Sequence, residues 1–399
     1  MPAEQGAVDG AVAIGFEAVR EAFVANLTER DELGGAVAVW HENEPVVDLW
    51  GGFADVDRCR PWAADTLTLV FSTTKGLAAA AMAVAHARGL LDYDQPVAAY
   101  WPEFAVAGKE DITIRTLLAH QAGLSIAPVD LGPDTIADLE GLGRALAAQA
   151  PRWEPGTRHG YHAFTLGWYE SELIARTDPA RRRLPQFFHD EVATPLGVDF
   201  YMGLPESEDH RAAELDGWPA WKMALHMRDL PGGMVRAYAW PWSTTARTLG
   251  NPRLGGPADF GGEAYRRLEF PAAVGFGTAT GLAKVYGDLA VGGHRLGLDE
   301  RTREQMAEPA RPPSGGRHDL VLRTETSYAL GWWRPFPTFA FGSERAFGTP
   351  GAGGSFAFAD PETGIGFAYV TNRLGFHVWD DPRDLALREA VAGCLSRRG

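Results

Sequence analysis

The sequence predicts an α/β protein of the α+β type, in which N-terminal and C-terminal strands form one antiparallel sheet flanked by helices. A mostly helical domain is inserted between the two sets of strands. Runs rich in β-branched and aromatic residues lie near both ends of the 399-residue chain, and helical periodicity dominates its middle. Strands and helices do not alternate regularly, which argues against a doubly wound sheet or a TIM barrel.

The N-terminal part is predicted to contain a helix, a β-hairpin and a buried helix. Apolar residues recur every three or four positions over 15–30, as in an amphipathic helix. Two β-rich runs within 34–55 flank the polar tetrapeptide His41-Glu42-Asn43-Glu44, which is typical of a hairpin turn. Residues 75–90 are alanine-rich and apolar throughout, so a helix here would be buried on all sides.

The remainder of the chain passes from helices back to strands. Helical patches, broken by Pro and Gly, are predicted at 112–120, 134–150, 164–176 and 279–293. Strands are predicted at 326–333, 339–343 and 354–373, followed by a helix at 381–398. The sequence DPETG at 360–364 predicts a hairpin turn. We expect residues 1–94 and 291–399 to form the sheet domain, and residues 95–290 the helical domain.

The composition argues against several classes of protein. The formal net charge of −15 repels nucleic-acid backbones and anionic membranes, so we expect neither as a partner. The two cysteines, Cys59 and Cys394, are too few for a disulfide framework. The N-terminus lacks the basic segment of a secretory signal, and no apolar run reaches the ~18 residues of a membrane span. These features predict a soluble, cytoplasmic protein and leave its oligomeric state open.

One of the few lysines lies at the start of an apolar run. Only four of the 37 basic side chains are lysines, and Lys75 follows Ser72 by three residues. Such a pair lies on one helix face, with Cβ atoms about 5–6 Å apart, so the amine can reach the hydroxyl. Burial lowers the pKa of a lysine, and a neutral amine can take the proton that a serine nucleophile must lose. The structural alternative is a helix-capping serine beside a lysine whose head reaches solvent.

Ser72-x-x-Lys75 resembles the nucleophile motif of serine β-lactamases and penicillin-binding proteins. Other segments resemble the same superfamily in the expected order. TIRTLLAHQAGL (113–124) is similar to its LLTHTSGL segment, and PGTRHGYHAFTLGW (155–168) to its PGTRFxYSNxGY segment. YALGWW (328–333) and TPGAGGSFAFADP (349–361) resemble the strands that close the site. The resemblance covers most of the chain, is strongest to the family VIII carboxylesterases, and implies a serine β-lactamase-like fold.

The resemblance also implies roles for individual residues. Ser72 would be the nucleophile and Lys75 the base that activates it. Tyr161 matches the tyrosine of the Tyr-x-Asn motif and would pass the proton to the leaving group, with its pKa lowered by the charge of Lys75. The backbone N–H groups of Ser72 and Ala352 would form the oxyanion hole. No metal and no other cofactor is implied.

Two departures from the family pattern bear on the substrate. The Asn of Tyr-x-Asn is Ala163, and the Lys-Thr-Gly or His-x-Gly segment is Thr349-Pro350-Gly351. This segment has no cation that could hold a substrate carboxylate. The departures therefore favour neutral esters over β-lactams and acidic peptides.

Several residues are predicted to contact the substrate. They are Thr349, Pro350, Gly351, His162 and Trp332. Gly351, Gly353 and Gly354 would let the substrate approach the strand closely, although a turn or bulge would use the same glycines. The segment 218–242, with four tryptophans and three methionines, is either core or a wall of the acyl pocket.

Other constellations are weaker candidates. Ser125 and Ser355 lie in sequences close to G-x-S-x-G, but neither follows a strand and opens a helix, as that motif requires. His159 and His162 alone are a poor metal site, and site-lining or surface positions are expected instead. His120 is expected to form structural hydrogen bonds.

The sequence thus predicts a serine hydrolase that cleaves small carboxylic esters through a covalent acyl-enzyme on Ser72. An acyltransferase that passes the acyl group to an alcohol or amine would use the same residues, so it stands as the alternative. A β-lactamase or peptidase and a non-catalytic binding module are less favoured. A module without catalysis would have no need to retain Ser72, Lys75 and Tyr161 together.

Overall fold

The computed structural model describes residues 7–218, 226 and 230–397, and it contains two antiparallel sheets. The strands are β1 (Val8–Val12), β2 (Gly34–His41), β3 (Glu44–Gly52), β4 (Thr68–Leu69), β5 (Phe200–Met202), β6 (Gly275–Gly277), β7 (Phe347–Pro350), β8 (Phe356–Asp360) and β9 (Ile365–Thr371). The large sheet has the order β1-β3-β2-β9-β8-β7, so the two ends of the chain meet where β2 pairs with β9. This confirms the predicted antiparallel sheet. The small sheet has the order β4-β6-β5.

The large sheet is covered on both faces because successive side chains of a strand point to opposite sides. On β2, Val37 and Val39 belong to the hydrophobic core on one face, and Ala36 and Ala38 to the core on the other. The first core includes side chains of the N-terminal helix (Glu17–Glu29) and the C-terminal helix (Pro382–Ser396), which pack against each other.

The second face of the sheet packs against the helix Ala279–Ala290, called the sheet helix below. The approach is close: a Cβ added to Gly366 on β9 would lie 2.1 Å from the backbone nitrogen of Gly287. The sequence-based boundary at residue 290 places the sheet helix in the helical domain, whereas it lies on the sheet. The division into two domains stays a proposal, with this helix moved to the sheet side.

The central helix, Thr74–Ala87, lies between the sheet side and the helical part of the molecule. All its residues from Thr74 to His86 are buried, as its uniformly apolar sequence predicts. It contacts β7 on one side and the helix Leu166–Thr177 on another. The remaining α-helices are Ile114–Leu118, Pro133–Ala137, Leu139–Ala148, Leu184–Phe188, Thr194–Leu196, Gly232–Tyr238, Thr244–Leu249 and Glu300–Ala307. A π-helical segment covers His189–Ala193, and 3₁₀ turns cover Phe71–Thr73, Val97–Ala99, Pro102–Phe104, Glu206–Arg211 and Pro257–Gly261.

Local predictions succeed where a pattern is long and fail where turns interrupt it. The hairpin at 41–44 and the DPETG turn between β8 and β9 are confirmed. The strands predicted at 326–333 and 339–343 are wrong, because these residues form only isolated bridges such as Tyr328–Trp333. Gly331 has a φ of 89°, which turns the chain back on itself within the first of these segments. Strand β1 was not predicted.

The described parts of the chain include no helix with the length and apolar character needed to cross a bilayer. Cys59 is exposed, Cys394 is buried, and both are free thiols. The cysteines therefore add no covalent link to the packing.

Candidate active site

Ser72 lies where the small sheet passes into the central helix. Strand β4 ends at Leu69, and a 3₁₀ turn, Phe71–Thr73, leads into the helix. Phe71 has a φ of 48°, a left-handed conformation that costs a non-glycine residue about 1–2 kcal/mol. This residue redirects the chain sharply, so that Ser72 is partly exposed although Phe71 and Thr73 beside it are buried. Strain of this kind is concentrated at functional sites.

Lys75 is fully buried, and its ammonium group has three oxygen partners. The Nζ atom lies 3.0 Å from the Ser72 Oγ, 2.7 Å from the Ala163 carbonyl oxygen and 2.7 Å from the Ala272 carbonyl oxygen. Burial lowers the pKa of Lys75 to about 7, and the negative charge of Glu170 opposes this effect. An amine with this pKa is partly neutral near pH 7 and can accept a proton from Ser72.

Tyr161 faces the same serine. Its hydroxyl faces the Ser72 side chain, and the Lys75 Nζ lies 5.0 Å from the centre of its ring. The expectation that Lys75 lowers the pKa of this phenol is wrong: burial raises the pKa of Tyr161, although the nearby Ser72 side chain opposes the increase. Tyr161 is only 6% exposed, so water cannot stabilise a phenolate there. Tyr161 therefore keeps its proton near neutral pH.

Asp319 fixes the backbone of Tyr161. The Tyr161 N–H donates to Asp319 Oδ2 at 2.9 Å, and the Tyr328 hydroxyl donates to the same oxygen at 2.9 Å. The other carboxylate oxygen accepts from the N–H groups of Val321 and Leu322. Asp319 is not among the predicted site residues, because a lone aspartate far along the chain gives no signal of this contact.

The turn between β7 and β8, residues 351–355, lies against the nucleophile segment and is called the oxyanion turn below. The Ser355 Oγ donates to the Val70 carbonyl at 3.0 Å, and the Thr73 Oγ1 donates to the Ser355 carbonyl at 3.4 Å. These bonds hold the turn against the segment 70–73, and Ala352 within the turn is exposed. Ser355 is thus a structural residue, in agreement with its rejection as a nucleophile.

The three glycines of the oxyanion turn face protein atoms, which favours their interpretation as turn residues. A Cβ on Gly351 would lie 2.3 Å from the Val70 carbonyl oxygen, and one on Gly353 would lie 2.6 Å from the Leu374 side chain. Gly353 and Gly354 have φ values of 90° and 114°, which only glycine adopts easily. A role of these glycines in admitting substrate to the strand stays a prediction.

The other strand residues predicted to bind substrate are also buried. Thr349 is fully buried, and its Oγ1 would lie 3.2 Å from a Cβ on Gly76 of the central helix, next to the Tyr286 hydroxyl. Pro350 is buried and pairs with Phe356 in the β7–β8 ladder. Trp332 is fully buried, and its indole N–H donates to the Gly76 carbonyl at 3.1 Å. These side chains pack beneath the central helix, and the substrate contacts predicted for them stay predictions.

His162 is likewise buried and forms hydrogen bonds within the protein, and its predicted substrate contact stays a prediction. Its Nδ1–H donates to the Gly160 carbonyl at 2.7 Å, and its Nε2 accepts from the Leu124 N–H at 3.1 Å. Burial lowers the pKa of His162 to about 3, so the ring is neutral. The Nδ1 of His120 accepts from the His162 N–H at 3.0 Å, which confirms that His120 forms structural hydrogen bonds.

Glu170, on the helix Leu166–Thr177, is the nearest acid that acts on Lys75 electrostatically. It is fully buried, and within the described structure neither of its carboxylate oxygens has a hydrogen-bond partner. Burial raises the pKa of Glu170 to about 8, and the charge of Lys75 opposes the increase. The two groups therefore titrate over the same pH range and influence each other.

Sequence reasoning missed the two carbonyl groups that hold Lys75. Every residue has a carbonyl, so neither Ala163 nor Ala272 offered a side-chain signal. Ala163 had been noted only because it lacks the amide of the family motif. Its main-chain oxygen nevertheless binds the lysine.

Two further expectations concern residues away from Ser72. The Ser125 Oγ is buried and accepts from the Thr248 hydroxyl, so it is not available as a nucleophile. Of the segment 218–242, residues 219–225 and 227–229 lie outside the described residues, so its role as a pocket wall stays a prediction. No group of three or more His, Cys, Asp or Glu in the described residues could hold a metal ion.

Comparisons with known proteins agree with the motifs. The sequence matches the family model described as Beta-lactamase over residues 19–392. The curated protein "Esterase/beta-lactamase LipL" of Mycobacterium tuberculosis is 36% identical over 333 residues, which cover 82% of this chain and 74% of the relative.

Solved structures match nearly the whole chain. A family VIII carboxylesterase has a TM-score of 0.86 and 37% identity, covering 97% of this chain and 100% of the other. A penicillin-binding protein homologue from Caulobacter crescentus has a TM-score of 0.83 with the same identity and coverage. The resemblance stated from the motifs is confirmed, and with it the serine β-lactamase-like fold.

Proposed function

Because the chain belongs to the beta-lactamase family, we propose that it is a serine hydrolase that cleaves small, neutral carboxylic esters through an acyl-enzyme on Ser72. One observation carries the proposal. The Ser72 hydroxyl lies 3.0 Å from a buried lysine amine with a pKa of about 7, and the Tyr161 hydroxyl faces it. A serine hydroxyl beside a base that is neutral near pH 7 is suited to attack a carbonyl carbon.

Acylation begins with proton transfer from Ser72 to Lys75. The Ser72 Oγ attacks the ester carbonyl carbon while its proton moves to the neutral Nζ. The negative charge that develops on the carbonyl oxygen is stabilised by the N–H groups of Ser72 and Ala352. In the described structure neither N–H donates to a protein acceptor, so both are free to bind this oxygen.

Departure of the alcohol requires a proton, and Tyr161 supplies it. The bond between the carbonyl carbon and the ester oxygen breaks, and the leaving oxygen takes the phenolic proton. Tyr161 then regains a proton from the Lys75 ammonium, so no net charge stays on the phenol. The raised pKa of Tyr161 suits this role, because the group holds its proton until the leaving group becomes basic.

Deacylation repeats the same transfers with water. A water molecule gives a proton to Lys75 and attacks the acyl carbon, and the bond to the Ser72 Oγ breaks. The carboxylic acid leaves, and the Ser72 Oγ takes the proton back from the Lys75 ammonium, which restores the neutral amine. An alcohol or amine in place of water would make the protein an acyltransferase, which stays the alternative.

The preference for neutral esters is supported by the strand next to Ser72. Residues 349–351 present no cation, and the Thr349 hydroxyl is buried against Gly76 and Tyr286. A β-lactam or acidic peptide would therefore find no partner for its carboxylate on this strand.

The test is hydrolysis of a short-chain p-nitrophenyl ester by wild type, Ser72→Ala and Ser125→Ala. We expect Ser72→Ala to lose ester hydrolysis and to show no acyl adduct in intact-mass spectra. The activity of Ser125→Ala should stay within about twofold of wild type. Undiminished turnover in Ser72→Ala would overturn the proposal. Labelling by a fluorophosphonate that persists in Ser72→Ala would also contradict it.

The same assay separates the alternatives. Partition of the acyl group to an added alcohol, measured as ester product against free acid, would favour the acyltransferase. Turnover of a β-lactam with an efficiency equal to that of the ester would contradict the substrate preference. Absence of any adduct with esters, lactones and β-lactams would favour a binding module.

A further inference from the structure

The oxyanion turn is anchored on its far side as well as at the nucleophile. Within it, the Gly351 N–H donates to the Ser355 carbonyl at 2.7 Å, which closes the turn. Gly353 and Gly354 both have positive φ, and glycine peptides in this region have little intrinsic stiffness. The orientation of the Ala352 N–H therefore depends on contacts that hold the turn from outside.

Arg383 supplies such a contact. Its Nη2 donates to the Gly353 carbonyl at 3.1 Å, and the Gly375 N–H donates to the same oxygen at 2.9 Å. Arg383 lies at the start of the C-terminal helix and is only 5% exposed. The anchor thus comes from the far end of the chain and is shielded from water.

The guanidinium group of Arg383 cannot rotate away from the oxyanion turn, because its other donors are occupied. Nε and Nη2 each donate to a carboxylate oxygen of Asp381 at 2.9 Å, in a bidentate pair. Nη1 donates to the Arg373 carbonyl at 2.8 Å and lies 3.3 Å from Glu32 and from the Thr371 hydroxyl. A planar group with this many fixed partners has one orientation.

Asp381 is held in turn by the helix that it caps. Its Oδ1 accepts from the Arg383 N–H at 3.0 Å, and Pro382 occupies the first position of the helix. A Cβ on Gly354 would lie 3.0 Å from Asp381 Oδ2 and 3.1 Å from Arg383 Nη2, so the ion pair also packs directly against the turn.

We propose that Arg383 is a positioning residue for the oxyanion hole: by fixing the Gly353 peptide, it orients the Ala352 N–H toward the carbonyl oxygen of the substrate. Arg383 touches no substrate and acts through the turn. The inference rests on the proposed ester hydrolysis. It predicts that Arg383 affects transition-state binding more than substrate binding, because the charge on the oxygen develops only during attack.

The test is Arg383→Lys, with Arg388→Lys as the matched control. Lysine keeps the charge but lacks the planar fork, so it cannot bind Asp381 in two places and Gly353 at once. Arg388 lies on the same helix, is equally buried, pairs with Asp380 and Asp384, and donates to the Ala340 carbonyl. It has no bond to the oxyanion turn, so Arg388→Lys reports the cost of disturbing a buried arginine on this helix.

We expect Arg383→Lys to lower kcat about 10-fold, with KM within about twofold of wild type. The Ki of an aryl trifluoromethyl ketone, which places an oxyanion in the hole, should rise by a similar factor. Arg388→Lys should keep both constants within about twofold. Rates are divided by the number of sites titrated with a fluorophosphonate, so that unfolded protein does not count.

Equal kcat and Ki values for Arg383→Lys and Arg388→Lys would overturn the inference. If Arg383→Lys does not fold, Asp381→Asn replaces it as the test variant, because the loss of this carboxylate weakens the ion pair that fixes the guanidinium group. Unchanged kcat and Ki in Asp381→Asn would also overturn the inference. If wild type shows no Ser72-dependent ester hydrolysis, the proposed function itself fails, and that result is distinct from a failure of this inference.

Discussion

Two of the lysines, Lys75 and Lys109, are buried with their ammonium groups among backbone carbonyls. Lys109 lies in the loop before the helix Ile114–Leu118, and its Nζ donates to the carbonyls of Val106, Ala147 and Gln149 at 2.6–3.0 Å. Lys75 has two carbonyl partners, and its third is the Ser72 hydroxyl. Burial lowers the pKa of both lysines.

The two sites differ in the partners of the ammonium group, and burial alone supplies no proton for a lysine to accept. Three carbonyls satisfy the three donors of an ammonium group but offer it no proton to accept. Exchanging one carbonyl for a hydroxyl creates a pair between which a proton can move. We therefore interpret the carbonyls around Lys109 as a structural anchor, and those around Lys75 as supports that aim the third hydrogen bond at Ser72.

The largest expected effect on kcat is that of replacing Lys75 by methionine, and the same replacement at Lys109 is its control. Lys75→Met should lower kcat for a p-nitrophenyl ester on the order of 10³- to 10⁴-fold, because the base is lost. Lys109→Met should keep kcat within about twofold but lower the free energy of unfolding by about 3 kcal/mol, because buried carbonyls lose their partner. Steady-state kinetics and urea denaturation measure the two effects. Equal losses of kcat in both variants would remove the distinction between the two sites.

Tyr161→Phe should have the next largest effect, and its size should depend on the leaving group. An alkoxide needs the phenolic proton, whereas p-nitrophenolate leaves without one. We expect kcat to fall about 100-fold for an ethyl ester and less than about 10-fold for a p-nitrophenyl ester. Tyr169→Phe is the control, because Tyr169 is also a buried tyrosine and donates a hydrogen bond to Gln149. This variant should leave kcat unchanged for both esters. Equal losses for the two esters would exclude Tyr161 as the proton donor.

Glu170→Gln should have the smallest effect, confined to the pH profile. The negative charge of Glu170 raises the pKa of Lys75, so its removal should shift the rise in activity to lower pH. We expect the ratio of the activity at pH 6 to the activity at pH 8 to be about twofold higher in Glu170→Gln than in wild type. Glu172 lies on the same helix and forms ion pairs with Arg176 and Arg183. Glu172→Gln therefore serves as the control. A shift to higher pH in Glu170→Gln would contradict the electrostatic link with Lys75.

The sequence was sufficient to predict the antiparallel sheet and the Ser72–Lys75 pair. Both depend on local patterns: β-rich runs at the two ends of the chain, and a lysine one turn after a serine in an apolar helix. Lys109 is followed by the charged residues Glu110 and Asp111 and opens no apolar run, so its burial could not be predicted.

The sequence could not show which way a side chain points in three dimensions. Thr349, Trp332 and His162 lie in segments close to Ser72, but their polar atoms face the central helix or the backbone. The direction of the Tyr161 pKa shift also required the structure, because it is set by burial, which the sequence does not show. The Arg383 contact joins positions thirty residues apart and has no signature in the sequence.

The central claim is that the neutral amine of Lys75 is the base for Ser72. Its most direct test is the rate at which a fluorophosphonate labels Ser72 between pH 5.5 and 9. The rate should rise with pH and level off, with a midpoint near the Lys75 pKa of about 7, since the fraction of neutral amine increases through that range. Tyr161→Phe should keep the same midpoint. A pH-independent rate, a midpoint near the ordinary lysine pKa of about 10.4, or a midpoint that disappears in Tyr161→Phe would contradict the account.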